Sequence, residues 1–380
     1  MLKGKAFNTR LLHAAADRDP FTGAVSIPIY QVSTFHQDPD KPGDYDYSRS
    51  GNPTRKALED LIAQLEGGVR GFAFASGMAA TSSVLMLFQP GDHLVVSEDL
   101  YGGSFRVLTT VFDRWGLKIS FVDSSDSEAV EKAITPSTKA LFIETPSNPL
   151  LKISDLRELV KIAQRHNLIT IADNTFLTPY LCRPLELGVD IVIHSATKFL
   201  NGHSDVLAGL VVAKDQEFAD KIGFLQNALG GVLGPQDSWL LIRGLKTLGI
   251  RLDRQSANAQ IMANWFQTQP WVEKVYYPGL ESHPGRQVLS EIASGFGAIV
   301  SFKVKEPEIL DKLVRNLTLP AVAVSLGAVE SILTHPVTMS HAAMAPAQRD
   351  KLGISNNLLR LSVGLEDTFD LIDDFLKAIK

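Results

Sequence analysis

The sequence predicts an α/β protein: a mainly parallel sheet covered by helices on both faces in a large domain, followed by a smaller C-terminal α/β domain. Three observations carry that expectation. From Lys56 to about Arg243, short β-rich apolar runs alternate with amphipathic helical patterns, as parallel strands joined by helical crossovers do. Near residue 244 the character changes to a long helical stretch followed by shorter strand-like pieces. A chain of 380 residues with 45% hydrophobic content can bury a large core, and its length suits two domains better than one.

Taken in order, the first 45 or so residues are rich in Pro, Asp and Gly and show no sustained period. They read as an irregular arm lying along another surface, such as a neighbouring subunit. "KALEDLIAQLEG" then reads as an amphipathic helix stopped at Gly67,. "RGFAFAS" is a strand, "GMAATSSVLMLF" a helix, "DHLVVSE" a strand and "GGSFRVLTTVFDRWG" a helix. "KISFVD" (strand), "SEAVEKAI" (helix), "KALFIET" (strand) and "ISDLRELVKIAQRHN" (helix) continue the series, and "LITIADN" and "DIVIHS" are strands,. After the helical "GPQDSWLLIRGLKTLGIRLDRQSANAQIMANWFQTQ", "VEKVYYPG", "GAIVSFKV" and "LLRLSVG" read as strands of the second unit. The expected division is an arm over 1–46, a large domain over 47–244 and a small domain over 245–380.

Composition narrows the function. A formal net charge of −5 and a pI of ≈ 6.0 argue against nucleic acid or an anionic membrane as the main partner. Cys182 stands alone, so no intrachain disulfide forms, which fits a reducing compartment. The N-terminal "MLKGKAFNTRLLHAAADRD" is basic without a signal peptide's apolar stretch,. No apolar run approaches the roughly 18 residues of a membrane helix. A soluble cytoplasmic protein is expected. The dinucleotide G-x-G-x-x-G, the nucleoside-triphosphate loop, H-E-x-x-H and G-x-S-x-G are all absent,. The nine histidines are scattered without metal-ligand spacing, so no metal is expected.

The informative stretch is "HSATKFLNGHSD". It puts Lys198 just beyond the apolar run that closes at Ile193. A solvated surface lysine fits poorly between "DIVIHSAT" and "VLAGLVV". Three other features fall at strand ends on the same side of the expected sheet, where open α/β sheets bind ligands. In "ASGMAAT", Ser76 and Gly77 open a helix whose free N–H groups suit a phosphate, although an ordinary Ser cap reads the same,. In "ITIADNTF", Asp173 is either a helix cap or the partner of a buried cation. In "LYGG", Tyr101 is either core or a stacking platform. Ser195 and Thr197 flank the lysine as donors to anionic oxygens. A phosphate cradle, an aromatic lid, a carboxylate for a ring nitrogen and an amine for covalent capture together point to pyridoxal 5′-phosphate (PLP).

The order and spacing of "YSRSGNPTR", "FASGMAAT", "DLYGG", "ETPSNP", "VDIVIHS", "SATKFLNGHSDVLAGL" and "LLRLSVGLED" resemble the PLP enzymes of cysteine and methionine metabolism. That family includes cystathionine γ-synthases, cystathionine β- and γ-lyases and methionine γ-lyase. The resemblance implies the aspartate-aminotransferase-like PLP fold type I and a homotetramer built from two active dimers. It also implies roles. Lys198 would hold the cofactor and move the Cα proton, Asp173 would pair with the ring nitrogen, and Tyr101 would stack on the ring. Gly77, Met78, Ser195 and Thr197 would hold the phosphate, and Asn148 would sit near the phenolic oxygen. Tyr47 and Arg49 would reach the partner subunit's cofactor, with Tyr47 also near the substrate.

Arg360 interrupts the apolar strand of "NNLLRLSVG". Taken alone it is either a structural ion pair or a two-pronged clamp for a substrate α-carboxylate. The resemblance favours the clamp, assisted by the backbone around Ser325. It also narrows the reaction. Many γ-synthases and γ-lyases of the family carry glutamate where Val324 stands, and methionine γ-lyases typically carry cysteine where Gly103 stands. The stretch "FLQNALGGVLGPQDSWLLIRGLKTL" looks most like β-lyases of Gram-positive type. The expectation is a carbon–sulfur lyase that cleaves L-cystathionine at Cβ, with cysteine or other thioether amino acids as further substrates. A γ-lyase, a γ-synthase, a methionine γ-lyase and a non-catalytic PLP-binding regulator are the alternatives.

Overall fold

The computed structural model describes every residue except 1–3, 15–18, 20, 42 and 343. Seven strands form the larger sheet: β1 (Arg70–Phe74), β2 (His93–Ser97), β3 (Lys118–Val122), β4 (Thr138–Glu144), β5 (Ile169–Asp173), β6 (Ile191–Ser195) and β7 (Gly209–Ala213). Their spatial order is β1-β7-β6-β5-β4-β2-β3. Every pairing among β2 to β6 is parallel, and β7 runs antiparallel between β1 and β6.

Side-chain alternation along each strand divides the core in two. Val192 joins one apolar cluster, with the helices Pro53–Glu66 and Leu156–His166. Its neighbours Ile191 and Ile193 join the other, with the helices Gly77–Leu85 and Gln216–Leu229. A sheet buried on both faces needs apolar residues at every position, which is why β2 and β7 are buried along their whole length. Local signals set the helix ends. Asn52 accepts hydrogen bonds from the backbone N–H groups of Thr54 and Arg55, Pro53 occupies the first turn, and Gly67 closes the helix at φ +81°,.

The second sheet contains β8 (Val272–Tyr276), β9 (Ile299–Val304), β10 (Ala321–Val322), β11 (Ile332–Thr334) and β12 (Leu358–Ser362), in the order β10-β11-β12-β9-β8. The helix Leu248–Thr268 lies against β8, β9 and the helix Thr368–Ala378. There Phe266 stacks on Phe302 at 4.2 Å and meets Phe375 edge-on,.

The fold differs from expectation at four places. Residues Phe7–His13 of the arm form a helix, too short to establish a period in the sequence. β7 and the helix Gln216–Leu229 follow the lysine loop. "GLVVA" is a five-residue apolar run without periodicity, so only its pairing partners mark it as a strand. β10 and β11 are two and three residues long. The helical stretch from Gly102 to Trp115 contains a π-helical turn at Val107–Phe112. The Thr110 hydroxyl donates back to the Arg106 carbonyl there, a competing bond that loosens α geometry.

Candidate active site

Parallel strands deliver their C-terminal ends to one edge of the sheet, and β1, β2, β4, β5 and β6 all deliver polar groups there. A cavity of about 470 Å³ opens at that edge. It is lined by Gly77, Met78, Tyr101, Asn148, Asp173, Ser195, Thr197, Lys198, Ser325 and Arg360, so ten of the twelve residues singled out in the sequence meet in one place.

Lys198 sits in the turn after β6, its N–H donating to the Ser195 carbonyl at 3.2 Å. Its Nζ donates to Ser325 Oγ at 2.5 Å. Burial, then the positive charge of Arg360, lowers its ammonium from the ordinary 10.5 to about 8,. Ser325 holds φ +91°, a left-handed backbone that a side chain disfavours and that surrounding contacts must maintain.

Arg360, from the middle of β12, is 2% exposed. Its Nη1 donates to Asn148 Oδ1 at 2.8 Å, and its Nη2 donates to the Ser325 carbonyl at 2.7 Å and to Thr334 Oγ1 at 3.1 Å. Its Nε is buried without a hydrogen-bond partner among the described residues. No carboxylate pairs with it among those residues either, which removes the structural ion pair as its explanation. Burial lowers it to about 10. A buried guanidinium held only by neutral acceptors suits an anion.

Asp173 ends β5 and accepts from the Thr175 N–H at 3.0 Å. Burial raises its carboxyl above the usual range. Tyr101 precedes the helix Gly102–Arg106 and is 43% exposed. A Cβ on Gly103 would lie 2.5 Å from Tyr101 Cε1 and 2.9 Å from Met78 Sδ, so the ring's position depends on glycine there. Ser76 caps the helix Gly77–Leu85 by accepting the Ala79 N–H at 3.0 Å. A Cβ on Gly77 would lie 3.0 Å from Ser195 Oγ, so the start of this helix and the end of β6 form a tight cradle. Thr197 Oγ1 meets the backbone of Ala208.

Tyr47 and Arg49 are not in this cavity. Both are exposed just after the arm, with the Arg49 guanidinium 5.5 Å from the Tyr47 ring centroid. Two charged lining residues escaped the sequence reading. Glu144 ends β4 beside Asp173 and accepts the Tyr101 N–H at 2.8 Å; its position as the last residue of an apolar strand was the available signal. Arg106 lines the mouth and has no ion-pair partner among the described residues.

The cavity fits PLP. Free N–H groups at a helix start and the Ser195 hydroxyl suit a phosphate, and Asp173, half-buried, suits a protonated ring nitrogen as its acceptor,. Lys198 is a lysine whose lowered ammonium makes the free amine accessible. A comparison with family models matches residues 8–380 to Cys/Met metabolism PLP-dependent enzyme. The chain belongs to this family. Its relatives include the cystathionine beta-lyase of Bacillus subtilis (strain 168), 55% identical over 98% of this chain and 96% of the relative. The cystathionine gamma-lyase of the same organism is 50% identical over 98% of each. A solved cystathionine gamma-lyase from Lactobacillus plantarum, complexed with L-serine, superposes with a TM-score of 0.97 at 47% identity over 98% of each chain. The architecture is therefore PLP fold type I, and this Cys/Met metabolism enzyme is PLP-dependent.

Proposed function

We propose that this PLP enzyme cleaves L-cystathionine by β-elimination, releasing homocysteine, pyruvate and ammonia. The observation that carries the choice is Val324. It lines the cavity mouth next to Ser325 and is 61% exposed. An isopropyl group there offers no carboxylate for the distal ammonium that a γ-type enzyme would bind. The 55% identity with a beta-lyase supports the same choice. Gly103 weighs against methionine γ-lyase, because a cysteine at that position would collide with the Tyr101 ring as it lies here.

Bound PLP supplies an electron sink for an amino acid that loses its Cα proton. Lys198 holds the cofactor, then takes the Cα proton and returns it where the product needs it; a pKa of about 8 suits both directions near neutral pH,. Ser325 keeps the lysine Nζ aimed into the cavity. Arg360 grips the substrate α-carboxylate through its two terminal nitrogens, which orients the Cα–H bond toward Lys198. Asp173 would keep the ring nitrogen protonated, and Tyr101 would cover the ring. Gly77, Met78, Ser195 and Thr197 would hold the phosphate, and Asn148 would serve the phenolic oxygen. Arg106 gives the distal carboxylate of cystathionine a cation at the mouth. Cysteine and thioether amino acids other than cystathionine are further substrates.

Tyr47 and Arg49 complete the site of a second copy, so the working unit is a dimer and the assembly a pair of dimers. Within each chain we assign the arm to 1–46, the cofactor domain to 47–244 and the small domain to 245–380. Leu245 ends one helix and Leu248 begins the next. The enzyme works in the cytoplasm.

A second reading, Cγ–S cleavage, is favoured by the 50% identity with a gamma-lyase. Product analysis with L-cystathionine separates the two. Pyruvate with homocysteine supports β-elimination, whereas 2-oxobutyrate with cysteine would overturn it.

A further inference from the structure

Two carboxylates, Glu144 buried and Asp173 half-buried, end adjacent strands at the floor of the cavity. Glu144 on β4 is the register neighbour of Asp173 on β5. Neither forms an ion pair among the described residues. The charged groups around Glu144 are Asp173, Asp99 in the loop after β2, and Arg360 on β12. Two like charges and burial outweigh one arginine, and they push Glu144 well above the usual carboxylate range,. Asp173 is raised as well, but Thr175 holds it down with hydrogen bonds. Of the two, Glu144 is therefore the more readily protonated,.

The same Glu144 side chain reaches the opposite wall. Its Oε2 accepts the backbone N–H of Tyr101 at 2.8 Å. Tyr101 begins the helix Gly102–Arg106 with no side-chain cap of its own, at φ −49°. That N–H is thus tied to β4 rather than to its own helix. Asp99, two residues earlier, is bonded to Ser147 beyond the end of β4. Behind Glu144, its own N–H donates to Ser97 Oγ at 3.1 Å.

We propose that Glu144 is a positioning residue: by accepting the main-chain N–H of Tyr101 it fixes that residue, and through it the ring that would cover the cofactor. This inference rests on the placement of PLP between Tyr101 and Asp173 argued above.

The test uses the cofactor-loaded protein, reading the PLP dissociation constant, the induced circular dichroism of the cofactor's visible band, and the pH midpoint of that band. Glu144→Gln keeps a neutral carbonyl acceptor and should hold all three near wild type. Glu144→Ala should weaken PLP binding by about ten-fold, the scale of one lost buried hydrogen bond, and reduce the dichroism. In a Tyr101→Ala background, Glu144→Ala should add less than about two-fold, because the two residues act as one unit.

Three results would overturn the proposal: Glu144→Gln moving the midpoint by about a pH unit or more, Glu144→Ala binding PLP as wild type does, or fully additive losses in the double variant. If Glu144→Ala does not fold, Glu144→Gln and the Glu144→Gln/Tyr101→Ala pair still decide: Gln must be silent in both backgrounds. A wild-type protein that binds PLP with Asp173→Ala and Tyr101→Ala both without effect would instead overturn the underlying placement.

Discussion

Lys198 Nζ donates to the hydroxyl of Ser325 at 2.5 Å, and Ser325 reaches it from a backbone held at φ +91°. The carbonyl of the same serine accepts Arg360 Nη2 at 2.7 Å. One strained residue thus sets the spacing between the amine proposed to move a proton and the cation proposed to hold a carboxylate. The two come from different sheets, Lys198 from the turn after β6 and Arg360 from β12. Proximity of these cations is one reason the lysine lies near 8.

That depressed ammonium makes a stability prediction for the cofactor-free protein. Folding prefers neutral Lys198, so the unfolded chain binds more protons between about pH 8 and 10.5. Stability from this group therefore rises with pH across that window, and the penalty is fully present below it. Its full size is about 3 kcal/mol. Denaturant unfolding from pH 7.5 to 10 should show Lys198→Met more stable than wild type at the low end, with the difference shrinking as pH rises.

Arg360 makes a kinetic prediction. Arg360→Ala should raise KM and lower kcat/KM for L-cystathionine by at least ~10²-fold, the loss of a charge-assisted pair. Arg360→Lys should recover little, since an ammonium cannot make the two-pronged contact. An unchanged KM would leave Arg360 a structural cation.

Tyr47 and Arg49 make a prediction about assembly. If they serve the partner's site, co-expressing inactive Lys198→Ala and Arg49→Ala chains should restore activity. Half of randomly paired dimers are mixed and half the sites in each are intact, giving about a quarter of wild-type turnover. No recovery in demonstrated mixed dimers would place Arg49 outside the site.

Much of this was legible in the sequence because strand ends are written plainly. Asp173, Ser195 and Lys198 each stand at or just beyond the end of a mainly apolar strand, and parallel strands bring such ends to one edge,. Ser76 was legible as a helix start and, in the structure, both caps its helix and opens the cradle. Glu144 was hidden for the opposite reason. Its meaning lies in two partners 29 and 43 residues away, Asp173 through strand register and Tyr101 through a hydrogen bond. Strand β7 was hidden because a short apolar run carries no period, and the π-helical turn because it arises from hydroxyl-to-carbonyl bonds inside an otherwise helical pattern. Tyr47 and Arg49, exposed just after the arm, touch nothing in their own chain's cavity, so family resemblance alone gave them a role.

The central claim is that the lysine at the end of β6 is the residue that holds the cofactor. Borohydride reduction of the PLP-loaded enzyme fixes the cofactor to its lysine, and peptide mass mapping then identifies the site. The account predicts a pyridoxyl-phosphate mass on the peptide containing Lys198, and none after Lys198→Ala together with loss of pyruvate release. A reduced adduct on any other lysine, with Lys198 unmodified, would contradict it.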